Sequence, residues 1–146
     1  MAEKLFPNDT VIITQHFDAH QDWEIPIPGL FIIASEKNRV ALDEFSEEEA
    51  KEFFDLIRKL RRGMREVLGI NHVCFWQDEA THHNVFHLWM FPRYEWMEQF
   101  GQKIQSIRPI IEYAKENMVN EKTIKEVKDA VDKMKEYMKQ NYEQRN

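Results

Sequence analysis

Two histidines, His83 and His87, stand four residues apart in the segment His83-Asn84-Val85-Phe86-His87-Leu88-Trp89-Met90-Phe91-Pro92-Arg93. The segment reads as a strand, and neighbouring strand residues point to opposite faces. His83, Val85, His87, Trp89 and Phe91 then share one face. His82, Asn84, Phe86, Leu88 and Met90 share the other. The apolar set Phe86, Leu88 and Met90 marks the face that packs under a helix. His87 is left between Val85 and Trp89, and apolar neighbours favour a neutral imidazole by desolvation. The neutral form is the nucleophile. By residue type alone, a pocket histidine satisfied by hydrogen bonds is the competing reading of His87.

A metal site is the rival chemistry. His16 and His20 repeat the spacing of His83 and His87. On a strand, positions four apart lie about 13 Å from each other, at a rise of ~3.3 Å per residue. One zinc ion, with ligands ~2 Å away, cannot bridge that gap. Nucleophilic hydrolase signatures are missing. There is no Gly-x-Ser-x-Gly elbow and no glycine-rich phosphate loop. The single cysteine, Cys74, lies in an apolar stretch and reads as a small core residue.

The elements that must position His87 follow from local patterns. Thr10 to Thr14 is β-branched and predicts a strand. Pro26-Ile27-Pro28-Gly29 predicts a turn, and Leu30 to Ala34 a strand buried on both faces or central in a sheet. Ser46 and Glu49 form a capping-box pair opening a helix that ends at about Leu68, before Gly69. Its apolar stripe is Ala50, Phe53, Phe54, Ile57, Leu60, Met64 and Val67. Arg58, Lys59, Arg61, Arg62 and Arg65 form the other side, a solvated face or a phosphate patch. His72 to Trp76 and the histidine strand form a hairpin around a polar turn at Gln77 to Thr81. Helical pattern resumes after Arg93 to about Met118, with Pro109 breaking it or starting a second helix. Asn120 caps a last helix to about Tyr142. Its seam, Ile124, Val127, Val131, Met134 and Met138, suits docking onto its own domain or a dimer contact. This order predicts an antiparallel sheet packed by helices, an α+β fold.

The 146 residues allow one domain with a real core. The expected division is a domain over 1–118 and a C-terminal helix over 119–146, packed on that domain or at a dimer interface. A net charge of −6 argues against a nucleic-acid duplex as partner but permits a small phosphorylated ligand. One cysteine excludes an intramolecular disulfide framework. Neither a membrane-spanning run nor a signal peptide is recognisable, so the expected compartment is the cytoplasm.

From Trp23 to Arg93 the pieces resemble, in order, those of the histidine triad (HIT) superfamily of nucleotide hydrolases and transferases. Pro28-Gly29-Leu30-Phe31-Ile32-Ile33-Ala34-Ser35 looks like its Pro-Gly-His-apolar strand. Ser46 to Leu68 looks like its central helix, and Phe75-Trp76-Gln77-Asp78 like the strand before its phosphate-side loop. His87-Leu88-Trp89-Met90-Phe91-Pro92-Arg93 looks like the end of its motif of three alternating histidines. The resemblance covers roughly half of the chain.

That resemblance implies a HIT-like antiparallel sheet of about five strands packed by helices, with an added helical C-terminal segment. It implies a small-molecule nucleotide as ligand, a homodimer, and no resident cofactor, although a divalent cation could enter with the substrate. His87 falls on the middle histidine, the residue that attacks an α-phosphate and forms a nucleotidyl-histidine intermediate. Gln77 falls near a phosphate-site glutamine and Asp22 near a ribose-binding residue. The pattern departs at three places: Val85, Trp89 and Leu30 stand where histidines are usual. Val offers no hydrogen-bonding group and Trp only an indole N–H. His83, on the His87 face, is the residue that could partly replace a phosphate ligand. The implied function is nucleotide hydrolysis or nucleotidyl transfer through His87. The alternative is a catalytically inactive nucleotide-binding protein in which Trp89 stacks on a base or occupies the phosphate pocket.

Overall fold

The computed structural model describes residues 5–6, 9–36, 39–79 and 85–142. Among the described residues five strands form one sheet: β1 (Thr10–Ile13), β2 (Phe17–Gln21), β3 (Phe31–Ser35), β4 (Val73–Gln77) and β5 (His87–Pro92). Three α-helices accompany them there: α1 (Glu47–Leu68), α2 (Ile107–Asn117) and α3 (Glu121–Asn141). The strand order is β1-β2-β3-β5-β4, and every neighbouring pair is antiparallel. The architecture is the expected α+β sheet with a helical C-terminal segment.

The helix ends follow the local signals. Ser46 accepts from the Glu49 amide (3.1 Å), and the Glu49 carboxylate accepts from the Ser46 amide (2.8 Å). This capping box satisfies two of the N–H groups that a helix start leaves without partners. Gly69 closes α1 in the left-handed conformation, at φ 67°. The Asn120 side chain accepts from the Thr123 amide (2.9 Å) and starts α3. Pro109 falls in the first turn of α2, where its missing N–H costs nothing. Between Arg93 and α2 the chain forms two short 3-10 turns, Glu95–Phe100 and Ile104–Ser106, rather than continuous helix.

One face of the sheet carries the main core. Phe17, Ala19, Phe31, Ile33, Leu88 and Met90 meet Phe53, Leu56, Leu60 and Met64 of α1 and Val131, Met134 and Met138 of α3. The apolar seam of α3 is therefore consumed within the protomer. Gly63 lets the two helices approach: a Cβ there would lie 2.7 Å from the Tyr137 ring and 2.9 Å from the Met134 methyl. The α1 stripe differs from expectation at three places. Ala50 is exposed, Phe54 is 63% exposed, and Leu56 is fully buried. The sheet sets the helix rotation, and periodicity alone leaves it uncertain by one position.

Two strand readings also change. Residues 17–21 form β2, a strand the sequence pattern does not announce. Asp, Ala and Gln have low strand propensity, so β1 and β3 impose this strand by pairing with it on both sides. The strand expected over His72 to Trp76 runs from Val73 to Gln77. His82, His83 and Asn84, the start of the expected histidine strand, lie outside the described residues. The basic face of α1 lies on the far side of the sheet from His87. Within it, Arg61 donates to the Ile70 and Asn71 carbonyls (3.1 and 2.9 Å), which ties down the chain after the helix.

Candidate functional site

The second face of the sheet is built by alternation and register. Leu88 and Met90 are directed into the main core, so His87, Trp89 and Phe91 emerge on the other side. His87 stands beside Ala34, which stands beside Asp18. Trp89 is flanked by Trp76 on β4 and Ile32 on β3, and Ile32 by His20 on β2. A smaller cluster covers the Phe91 end. It joins Ile25, Ile27, Leu30 and Phe91 to Ile107, Ile110 and Ala114 of α2. His87 and Trp89 remain half-buried, and Trp76 is 37% exposed.

The His87 ring is held by its own strand entry. Nδ1 lies 2.9 Å from the Val85 carbonyl oxygen. A carbonyl only accepts, so Nδ1 carries the proton. In the neutral imidazole the lone pair is then on Nε2. This is the tautomer a histidine nucleophile needs.

Trp89 lies next to that ring, with centroids 5.7 Å apart and planes at 30°. Its side chain lies toward the Asp22 carboxyl and favours the charged form of that group. Trp76 continues the stack at 5.2 Å and 32°. Asp22 is buried, and its Oδ1 also accepts from the Glu24 and Ile25 amides, both at 2.9 Å. Burial pushes the Asp22 carboxyl above its usual range, and the two amides and the Trp89 indole oppose the shift without cancelling it. The Asp22 amide donates to Leu30 O (2.9 Å), so the residue also ties the two ends of the loop between β2 and β3.

The expected site residues are only partly brought together. Asp22, Trp89 and His87 form one continuous group. Gln77 stands opposite Leu88, which places it on the other face from His87, and its amide reaches the Val40 carbonyl at 3.4 Å. His83 lies outside the described residues. Leu30 is fully buried in the smaller cluster, so no polar group replaces it at that point.

Three further residues lie on this face, Asp18, His20 and Trp76, of which sequence reasoning weighed only His20, as a metal ligand. His20 Nδ1 lies 2.6 Å from the Asp18 carboxylate, and its ring stacks on Trp23 at 4.7 Å and 21°. Trp76 is the third. The alternation Phe17-Asp18-Ala19-His20 is the signal for the first two, since buried apolar residues alternate with polar ones. His16, four residues before His20, pairs elsewhere, with Glu52 on α1 at 2.7 Å. Among the described residues no group of three His, Cys, Asp or Glu side chains could hold a metal ion.

No protein-family model matches the sequence, and no curated protein matches it. Solved structures do. A diadenosine triphosphate hydrolase from Plasmodium falciparum, crystallised with cyclomarin A, is 13% identical with a TM-score of 0.62. The match covers 94% of this chain and 80% of that one. A hypothetical histidine triad nucleotide-binding protein from Sulfolobus tokodaii is also 13% identical at 0.62, over 97% and 89%. The chain has the histidine triad fold. The C. elegans NitFhit protein matches at 12% identity and 0.55, and there 76% of this chain spans only 28% of the longer one. At these identities the likeness establishes the HIT fold, and the chemistry must be read from the residues of this chain. On this fold His87, Trp89 and Trp76 lie along the second face of the sheet, and no described helix of the chain is long and apolar enough to cross a membrane.

Proposed function

We propose that this HIT-fold protein binds a nucleotide on the second face of its sheet and hydrolyses or transfers a nucleotidyl group through His87. The observation that carries this reading is the bond from His87 Nδ1 to the Val85 carbonyl, which puts the proton on Nδ1 and, in the neutral ring, the lone pair on Nε2. In the proposed step Nε2 forms a bond to the α-phosphorus. The P–O or P–N bond to the leaving group breaks with its electron pair, and the leaving group takes a proton from solvent. Water or another acceptor then cleaves the Nε2–P bond and restores the imidazole. Solved structures of the same fold, among them a diadenosine triphosphate hydrolase, support the nucleotide as ligand class.

Asp22 acts in this reading as a positioning residue. Its carboxyl lies toward the Trp89 side chain beside His87, and the ribose contact expected from resemblance would compete with that contact. The residues beside His87 favour a second reading, a nucleotide-binding protein without turnover. Val85 supplies no side-chain donor, and Trp89 offers a single N–H on a side chain that lies toward Asp22. Each lost donor at a charged transition state costs about 10²-fold or more.

Incubation with adenylyl and guanylyl esters, phosphoramidates and dinucleoside polyphosphates, followed by intact-mass analysis, separates the two. The catalytic reading expects a nucleotidyl adduct that is absent in His87→Ala. Equal turnover by wild type and His87→Ala would remove His87 from the mechanism. AMP binding without adduct or turnover would establish the second reading. We further propose a cytoplasmic homodimer. Because α3 spends its seam on its own core, the dimer would use another surface, and the exposed Phe75 on the sheet edge supports one there. Mass measurement in solution tests it.

A further inference from the structure

Arg58, Arg62 and Arg65 stand exposed on the second half of α1 and make no ion pair with any described residue. At 3.6 residues per turn they fall within about 60° of one helix face and span about 10 Å along it. Phe54, one turn before Arg58 on the same face, is 63% exposed. Arg58 and Arg62 are four residues apart, as are Arg61 and Arg65, and like charges at this spacing repel. Burial pushes the Arg61 guanidinium below its ordinary value, and the charge of Arg65 pushes the same way. Arg108 and Lys125, by contrast, each meet an acidic residue four positions on, Glu112 at 3.3 Å and Asp129 at 2.9 Å.

We propose that this face of α1 docks an acidic helix of a partner protein, laid antiparallel along it. The partner's carboxylates stand at i, i+3 and i+7 against Arg65, Arg62 and Arg58, and an apolar residue at i+11 meets Phe54. An arginine fork meets a carboxylate through two parallel hydrogen bonds, which lysine does not offer. The antiparallel sense puts the carboxylates in the N-terminal half of the partner helix, where the helix dipole favours them. The stripe is one helix wide. Glu48 and Glu66 are exposed beside it and the chain carries a net charge of −6, so a long polyanion or an anionic membrane meets repulsion that a single helix avoids. The face lies on the far side of the sheet from His87, and the docking does not depend on the function proposed above.

A helical probe peptide with Glu at i, i+3 and i+7 and Leu at i+11 tests this by amide NMR titration of the full chain. Shifts should map to Phe54, Arg58, Arg62 and Arg65. A peptide of the same composition, with its carboxylates scattered around the helix, should bind about tenfold more weakly. The double variant Arg58→Glu, Arg62→Glu should lose the Glu peptide and bind its Lys counterpart. Both positions are exposed, so its circular dichroism should match wild type. Phe54→Ser should weaken the Glu peptide. Equal binding of the ordered and scattered peptides, or shifts that map elsewhere, overturns the proposal. Tighter binding of a single-stranded oligonucleotide or of phosphatidylserine vesicles to this face also overturns it. A wild-type dimer that Arg58→Glu dissolves would put a second copy there and overturn it as well.

Discussion

The Trp89 side chain lies toward the Asp22 carboxyl and favours its charged form, and this contact joins the loop after β2 to the strand that carries His87. Its consequence is mutual. The carboxyl is buried with two amide donors on Oδ1, and the indole packs beside the imidazole with ring centroids 5.7 Å apart.

Asp22→Ala should therefore be costly. It leaves the Glu24 and Ile25 amides without their acceptor, at about 1–3 kcal/mol for a buried unsatisfied group. Urea melts should show the loss. The Trp89 indole N–H resonance should move in the same variant, and an unchanged resonance would disprove the contact.

The contact between α1 and α3 depends on a missing side chain at Gly63. Gly63→Val puts atoms where the Tyr137 ring and Met134 already lie. Overpacking of this kind costs about 1–3 kcal/mol. Thermal unfolding should show a lower midpoint, and Tyr137→Ala should relieve part of the penalty in the double variant.

Glu52 supplies a pH dependence. Burial raises its carboxyl, but bonds from the Thr14 hydroxyl, the His16 ring and the His16 amide (2.8 Å) outweigh that and hold it below the ordinary value of 4.5. A carboxyl lowered on folding stabilises above its unfolded pKa, and that stability is lost as pH falls through the folded pKa. Glu52→Gln should be less stable than wild type at neutral pH, with the difference shrinking in acid. Parallel denaturation curves at both pH values would contradict this.

His87→Gln should separate positioning from chemistry. The amide can still donate to the Val85 carbonyl, but it cannot form a stable bond to phosphorus. AMP affinity is expected to stay within a few-fold of wild type by calorimetry, while adduct formation disappears. A persisting adduct would place the nucleophile elsewhere.

Much of this protein is legible in local sequence. The bounds of α1 and α3 follow from Ser46, Glu49, Gly69 and Asn120, because capping groups act within one turn. That His87 and Trp89 share a face opposite Leu88 and Met90 follows from the pleat alone. Other features depend on partners distant in sequence. β2 exists because β1 and β3 supply its hydrogen bonds, and so Asp18 and His20 reach the site face. Gln77 misses that face because register places it opposite Leu88. Phe54 turns outward because the sheet sets the rotation of α1.

The strand that carries His87 shows the division most clearly. By itself the sequence determined which side chains lie together on it, since alternation is a property of the extended backbone. Tertiary structure decided what those side chains can do. It placed the Val85 carbonyl against Nδ1, the Asp22 carboxylate against the Trp89 indole, and Trp76 at the mouth of an apolar groove. Proton position, side-chain contact and concavity all depend on atoms brought near by folding, and no residue type specifies them alone.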